Sequence, residues 1–470
     1  MMSSKTGRLV VLVALVSCNR DSKDATPSPK VADPVTVVSA ACAKAKQHGA
    51  FAWIEDDYAS ALECAKSKNL PIVLDLWAPW CHTCLSMQSV VFTDPSFKPD
   101  ADKFVFAALD TDRDGNAAAV AKFPPSAWPT FYVVGPDEQV LARFVGAASI
   151  AQFHAFLDSG RRVKSGDQAG ADKHLVAAER LLAVKDLAGA EKELVAALAA
   201  APPEWTRRPD ALVSLIGARS KLKDIAGCIE LAEKSLDDTG NAASASDFLS
   251  YAVNCAKERE TAEADRVKAL RERAVARWQK LVDDTTAPLS VDDRSDAMAL
   301  TRETLDELGD KARAKEWAEK QRALLDDAAG KATSAMAAMT YNWPRSEVYV
   351  YLGKPLELVP ALEKSAKDLP EEYDPRARLG WIYLKGGKLE DAAKWTDDAL
   401  KLVYGPRKAR VLTQRADIAK AAGDKAGEKR YREDIVKALE ALPATQTSPD
   451  AIANAKQAVV DLDKPATAAH

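Results

Sequence analysis

Two cysteines three positions apart, Cys81 and Cys84, with His82 and Thr83 between them, carry the chemistry that this sequence most clearly offers. A dithiol at this spacing can attack a foreign disulfide with one sulfur and displace the mixed disulfide with the other. The pair follows Leu70 to Trp77, LPIVLDLW, an apolar run rich in branched residues that reads as a buried strand. From Cys81 the segment CHTCLSMQSVVF has helical spacing, with Cys81 at the N-terminal edge and Cys84 one turn inward. Unpaired N–H groups and the positive end of the helix dipole stabilise a thiolate there, so its pKa can fall well below the free value of about 8.5. His82 adds to that effect when protonated.

Further strands are expected at Phe104 to Asp110, at Phe131 to Val134 after Trp128, Pro129 and Thr130, and at Gln139 to Val145. The segment DLWAPWCHTC at Asp75 to Cys84, with Pro129 in WPTFYVVGPDEQVLARFVG, resembles thioredoxin over about residues 45–160. The pattern VFTDPSF at Val91 to Phe97 is similar to the C-terminal periplasmic domain of the transmembrane reductase DsbD. That resemblance implies Cys81 as nucleophile, Cys84 as resolving thiol, Asp75 as the buried carboxylate that helps deprotonate Cys84, and Pro129 as a cis-proline. It also implies that Trp80 shields the site and that backbone groups of Trp128 pair with an extended substrate. The sequence departs from thioredoxin in its His-Thr dipeptide, in Ala108 where a lysine is expected near the buried acid, and in the bulky Trp128 before the proline.

A CxxC pair can also be half a zinc site, yet a closed tetrahedral site needs two further ligands, and only Cys42, Cys64 and scattered histidines are on offer. Leu85 stands where a c-type haem motif requires histidine. An inert structural disulfide is the remaining alternative. The expectation is therefore a redox-active dithiol with no metal and no separate cofactor.

At the N-terminus, Lys5 and Arg8 precede Leu9 to Val16, eight apolar residues ending at Ser17 and Cys18. Eight helical residues span only about 12 Å, against a hydrocarbon core of roughly 30 Å, so a cleaved signal is expected rather than a span. Leu15, Val16, Ser17 and Cys18 resemble the bacterial lipobox, which implies signal peptide 1–17 and lipidation at Cys18. Residues 18–40 then read as a flexible tether, polar and proline-bearing. Export to the bacterial envelope is expected, and Asn19 favours the periplasmic side of the outer membrane. Of seven cysteines, six remain after Cys18, so Cys42 with Cys64 and Cys228 with Cys255 are candidate structural disulfides.

The remainder looks helical, rich in Ala, Leu, Lys, Glu and Arg. After a polar linker at 161–172, tetratricopeptide-like spacing runs through 173–445, clearest in Arg378 to Pro406 and Ala178 to Pro202, and weaker at Leu215 to Leu236, Leu305 to Leu325 and Ala416 to Leu439. A tail, 446–470, looks partly helical. The fold class expected is multidomain: an α/β thioredoxin-like domain at 41–160, followed by an all-α tetratricopeptide-like solenoid. A composition of 47% hydrophobic and 29% charged residues with net charge −4 is that of an ordinary globular protein and argues against a nucleic-acid footprint. The function expected is thiol-disulfide exchange on exported client proteins, with the repeats making protein-protein contacts and a DsbD-type membrane donor supplying electrons. The alternative is an envelope scaffold or redox-sensitive adaptor.

Overall fold

A computed structural model describes residues 39–167 and 170–462. The signal, Cys18 and all but the end of the tether lie outside the described residues. Among the described residues, no helix is long and apolar enough to cross a membrane.

Residues 46–145 build one six-stranded sheet. Its strands are β1 (Lys46–His48), β2 (Phe51–Glu55), β3 (Ile72–Trp77), β4 (Val105–Asp110), β5 (Thr130–Val134) and β6 (Val140–Val145), in the order β1-β2-β4-β3-β5-β6. β4 runs parallel to β2 and β3, and β5 runs antiparallel to β3 and β6. The four expected strands are present within a residue or two. β1 and β2 were not anticipated; β1 is three exposed residues, too short to show a period.

Central β3 is buried at every position but Trp77, because helices cover both faces of the sheet. One face packs on α1 (Tyr58–Lys68), through Ala61 and Ala65, and the other shares a core with Met87 and Val91, which follow the dithiol helix α2 (His82–Ser86). α3 (Ala117–Lys122) joins the α1 face, and α4 (Ile150–Ser165) packs Phe153 and Phe156 against Phe131 and Phe92. Phe51 stacks on Phe106 at 4.1 Å between centroids within this aromatic core. Such pairs contribute about 0.5–1.5 kcal/mol each beyond their buried area.

The linker expected at 161–172 is a correction. α4 continues to Ser165 and caps on Gly166 in the left-handed conformation, and α5 (Gly170–Ala183) begins four residues later. Val163 and Val176 enter the same core as the sheet, and Arg162 pairs with Asp172 across the junction. Glycines that read as a break are here a helix cap.

From α5 onward the chain is helical: α6 (Leu187–Ala200), α7 (Arg208–Leu222), α8 (Ile225–Ser235), α9 (Ala243–Lys257), α10 (Ala264–Asp283), α11 (Val291–Glu307) and α12 (Lys311–Lys331). There follow α13 (Ala335–Met339), α14 (Asn342–Tyr351), α15 (Val359–Asp368), α16 (Asp374–Lys385), α17 (Leu389–Leu400), α18 (Gly405–Ala421), α19 (Lys425–Glu440) and α20 (Pro449–Leu462), the last within the expected tail. The five expected repeats fall on the hairpins α5/α6, α7/α8, α11/α12, α16/α17 and α18/α19. Alanines at the crossings, among them Ala178, Ala190, Ala197, Ala392 and Ala399, are fully buried, which lets paired helices approach closely.

In three of these hairpins the second helix starts with the same device. Asp186, Asp224 and Asp424 each accept the amide of a glycine three residues on, Gly189, Gly227 and Gly427. An aspartate N-cap contributes about 1 kcal/mol. At these three starts a Cβ on the glycine would lie within 3 Å of the capping carboxyl carbon, so the glycine lets the carboxyl sit close.

Candidate active site

Beyond β3, the chain turns through Ala78, Pro79 and Trp80, and the amide of Cys81 donates to Ala78 O at 3.0 Å. Cys81 is the N-cap of α2, and its Sγ accepts the Cys84 amide at 3.1 Å. This is the electrostatic position a thiolate needs. Cys81 and Cys84 form a disulfide. Trp128 and Pro129 are joined by a cis peptide at the start of β5. Trp80 and Trp128 meet edge to face at 5.3 Å, and their Nε1 groups donate to Asp112 Oδ2 and Thr111 Oγ1, each at 2.8 Å.

Asp75 lies within β3, 2% exposed, with its Oδ1 unpartnered among the described residues. It pairs in register with Ala108 on one side and Phe131 on the other, so no cation balances it from the neighbouring strands. Burial alone pushes its carboxyl up to about 8. A proton can therefore be held or released there near neutral pH.

The structure places Cys81 at the start of α2 in a disulfide with Cys84 and sets Trp80 against Trp128, and it pairs Cys42 with Cys64 and Cys228 with Cys255 in disulfides. It also adds a layer that sequence reasoning did not see. Helical-half residues reach the surroundings of the dithiol, whose Cys81 is only 5% and Cys84 only 1% exposed and which packs with Ala78, Trp77 and Trp80. His82 Nδ1 sits 3.0 Å from both carboxylate oxygens of Asp292, and Ser86 Oγ lies 3.1 Å from Ser290 Oγ. On the other flank the Arg407 guanidinium lies 4.5 Å over the Trp80 ring, Tyr404 donates to Asp110, and Gln446 Nε2 donates to Thr111 O at 2.8 Å.

Burial opposes charge on His82, but the carboxylates of Asp292 and Asp296 win and hold the imidazolium up to about 10. One ligating atom from each of His82, Asp292 and Asp296 falls within 4.8 Å of the others, a set that could hold a metal ion. Asp112 is raised to about 6 by burial, against the Trp80 hydrogen bond. No local motif flags Asp292, Tyr404, Arg407 or Gln446; their role exists only because the solenoid returns to the sheet domain.

Comparison with known proteins agrees with the sheet domain. A family profile described as Thioredoxin-like matches residues 53–136. Thioredoxin C-3 of Corynebacterium nephridii is 30% identical over 104 residues, 22% of this chain and 66% of that one. Thioredoxin of Haemophilus influenzae is 32% identical over 92 residues, 20% of this chain and 81% of that one. Among solved structures, a tetratricopeptide repeat protein from Parabacteroides merdae is 13% identical, covering 62% of this chain and 98% of its own, with a TM-score of 0.40. PilW, described as a type IV pilus biogenesis factor, is 14% identical, covering 59% and 96%, with a TM-score of 0.32. Overlaps of that size carry no functional argument. Through the domain that holds Cys81, Cys84 and Pro129, this chain belongs to the thioredoxin-like family.

Proposed function

We propose that this chain is an extracytoplasmic thiol-disulfide oxidoreductase, lipid-anchored through Cys18 in the bacterial envelope. The observation that carries the redox reading is Cys81 at the tip of α2, its sulfur accepting the Cys84 amide, in a domain that also holds a cis-proline at 129 and a buried acid at 75. In the reduced protein the Cys81 thiolate attacks one sulfur of a substrate disulfide, and the other sulfur leaves as a thiolate. Cys84 passes its proton to the Asp75 carboxylate and attacks Cys81 Sγ. The mixed disulfide breaks, the second substrate thiol departs, and the protein is left with the Cys81–Cys84 disulfide. Two electrons have gone to the substrate. A dithiol donor must return them, for which the DsbD resemblance suggests a membrane partner.

In this reading the helical repeats do more than recruit clients or partners at a distance. His82–Asp292 and Trp80–Arg407 place them on the face through which a disulfide must approach. The burial of both sulfurs also favours a second reading, a redox-sensitive adaptor in which the disulfide is a structural latch. Cys84→Ser separates the two. Incubated with hydroxyethyl disulfide, the variant should accumulate a Cys81 mixed disulfide visible by intact mass. An unmodified Cys81, with helical-half partners captured equally by wild type and variant, would support the adaptor instead. Palmitate labelling lost in Cys18→Ala tests the anchor.

A further inference from the structure

The closed site raises the question of what can reach it. A folded client docks through about 800 Å² of its surface, yet the dithiol face is occupied by α11, α18 and the segment around Gln446. Beside it lies a cavity of about 600 Å³, lined by Thr83 of the dithiol helix, Trp128, and helices α7, α9 and α11. That volume is in the range of small-molecule sites, roughly 300–1,000 Å³.

The cavity is electrically bipolar. At the end near Thr83 and Gly146 stand Asp247, Asp293 and Asp296; a Cβ on Gly146 would sit 2.9 Å from the Asp247 carboxylate. Asp247 has no ion-pair or hydrogen-bond partner among the described residues, and burial together with Asp293 pushes its carboxyl up to about 7. An arriving cation would relieve that cost. The other end presents Arg143 and Lys221, whose ammonium is held below its usual range by burial and by Arg143. Lys221 also has no ion-pair partner among the described residues. Tyr251 lies between the two ends, one helical turn along α9 from Asp247 and against Gly217, itself one turn from Lys221 on α7. Ser246, more than nine-tenths buried, lines the same cavity with its hydroxyl unpartnered among the described residues.

Resting on the redox reading above, we infer that the substrate is a low-molecular-mass zwitterionic disulfide of the amino-acid or short-peptide class, its ammonium toward Asp247 and its carboxylate toward Lys221. The exchange step is the one already written, with the small disulfide reduced to two thiols and the protein dithiol oxidised.

The test uses the full chain, reduced and then freed of reductant, and follows closure of Cys81–Cys84 with five disulfides at equal concentration. Cystine carries both charges at each end, cystamine only cations, dithiodiglycolate only anions, hydroxyethyl disulfide none, and insulin is a folded protein. Cystine should react at least fivefold faster than each of the other four. Asp247→Asn and Lys221→Gln should each lower the ratio of the cystine rate to the hydroxyethyl disulfide rate at least threefold. A cystine preference below fivefold in the wild type, or insulin as the best substrate, overturns the inference while leaving thiol-disulfide exchange standing. A dithiol inert toward all five overturns both. Should either variant fail to fold, the wild-type series still decides.

Discussion

Replacing Asp75 with asparagine removes a titration without changing the shape of the β3 interior, and its consequence for stability can be worked through. The carboxyl ionises at the ordinary 3.8 in the unfolded chain and at about 8 in the folded one, with burial the sole cause. Over that window the folded state holds a proton that the unfolded state has lost. Unfolding stability then falls by about 1.4 kcal/mol per pH unit. The contribution is complete below pH 3.8 and is lost as pH rises through 8. Between pH 5 and pH 7.5 the wild type should lose about 3 kcal/mol that Asp75→Asn keeps. Hydrogen exchange of β3 and β4 peptides in the oxidised full chain, corrected for the intrinsic pH dependence of exchange, reads the difference directly. A wild-type minus variant difference that stays flat from pH 5 to pH 8 would refute the reasoning, since it would mean that the group ionises as it does in water. The same variant should slow resolution of a Cys81 mixed disulfide about tenfold if Asp75 accepts the Cys84 proton. A rate unchanged at pH 7 would remove that role.

Arg407→Ala should loosen the cap. It removes a partly desolvated guanidinium over Trp80, a contact contributing about 1–2 kcal/mol, so alkylation of reduced Cys81 by iodoacetamide should accelerate about fivefold or more. An unchanged rate would show that this contact does not limit access. Paired replacement of Cys228 and Cys255 by alanine opens a disulfide of sequence separation 27 and should cost about 3.5 kcal/mol in the chain-entropy description, read as a lower urea midpoint for α8 and α9. A midpoint unmoved under oxidising conditions would count against it.

Local chemistry was legible in the residues themselves. The strand before Cys81 and the helix after it each depend on neighbours a few positions away, because strand alternation and helix capping act over one or two turns. The same short range explains the failures. β1 offers three exposed residues and no period, and the Gly166 segment reads identically whether it ends a domain or caps a helix. The tertiary structure alone decided that the dithiol is enclosed, with Asp292 set against His82 from 210 positions away and Gln446 against Thr111 from 335. Which solenoid face meets the sheet domain depends on the accumulated rotation of successive hairpins, a sum over many small crossing angles that no single stretch of residues encodes.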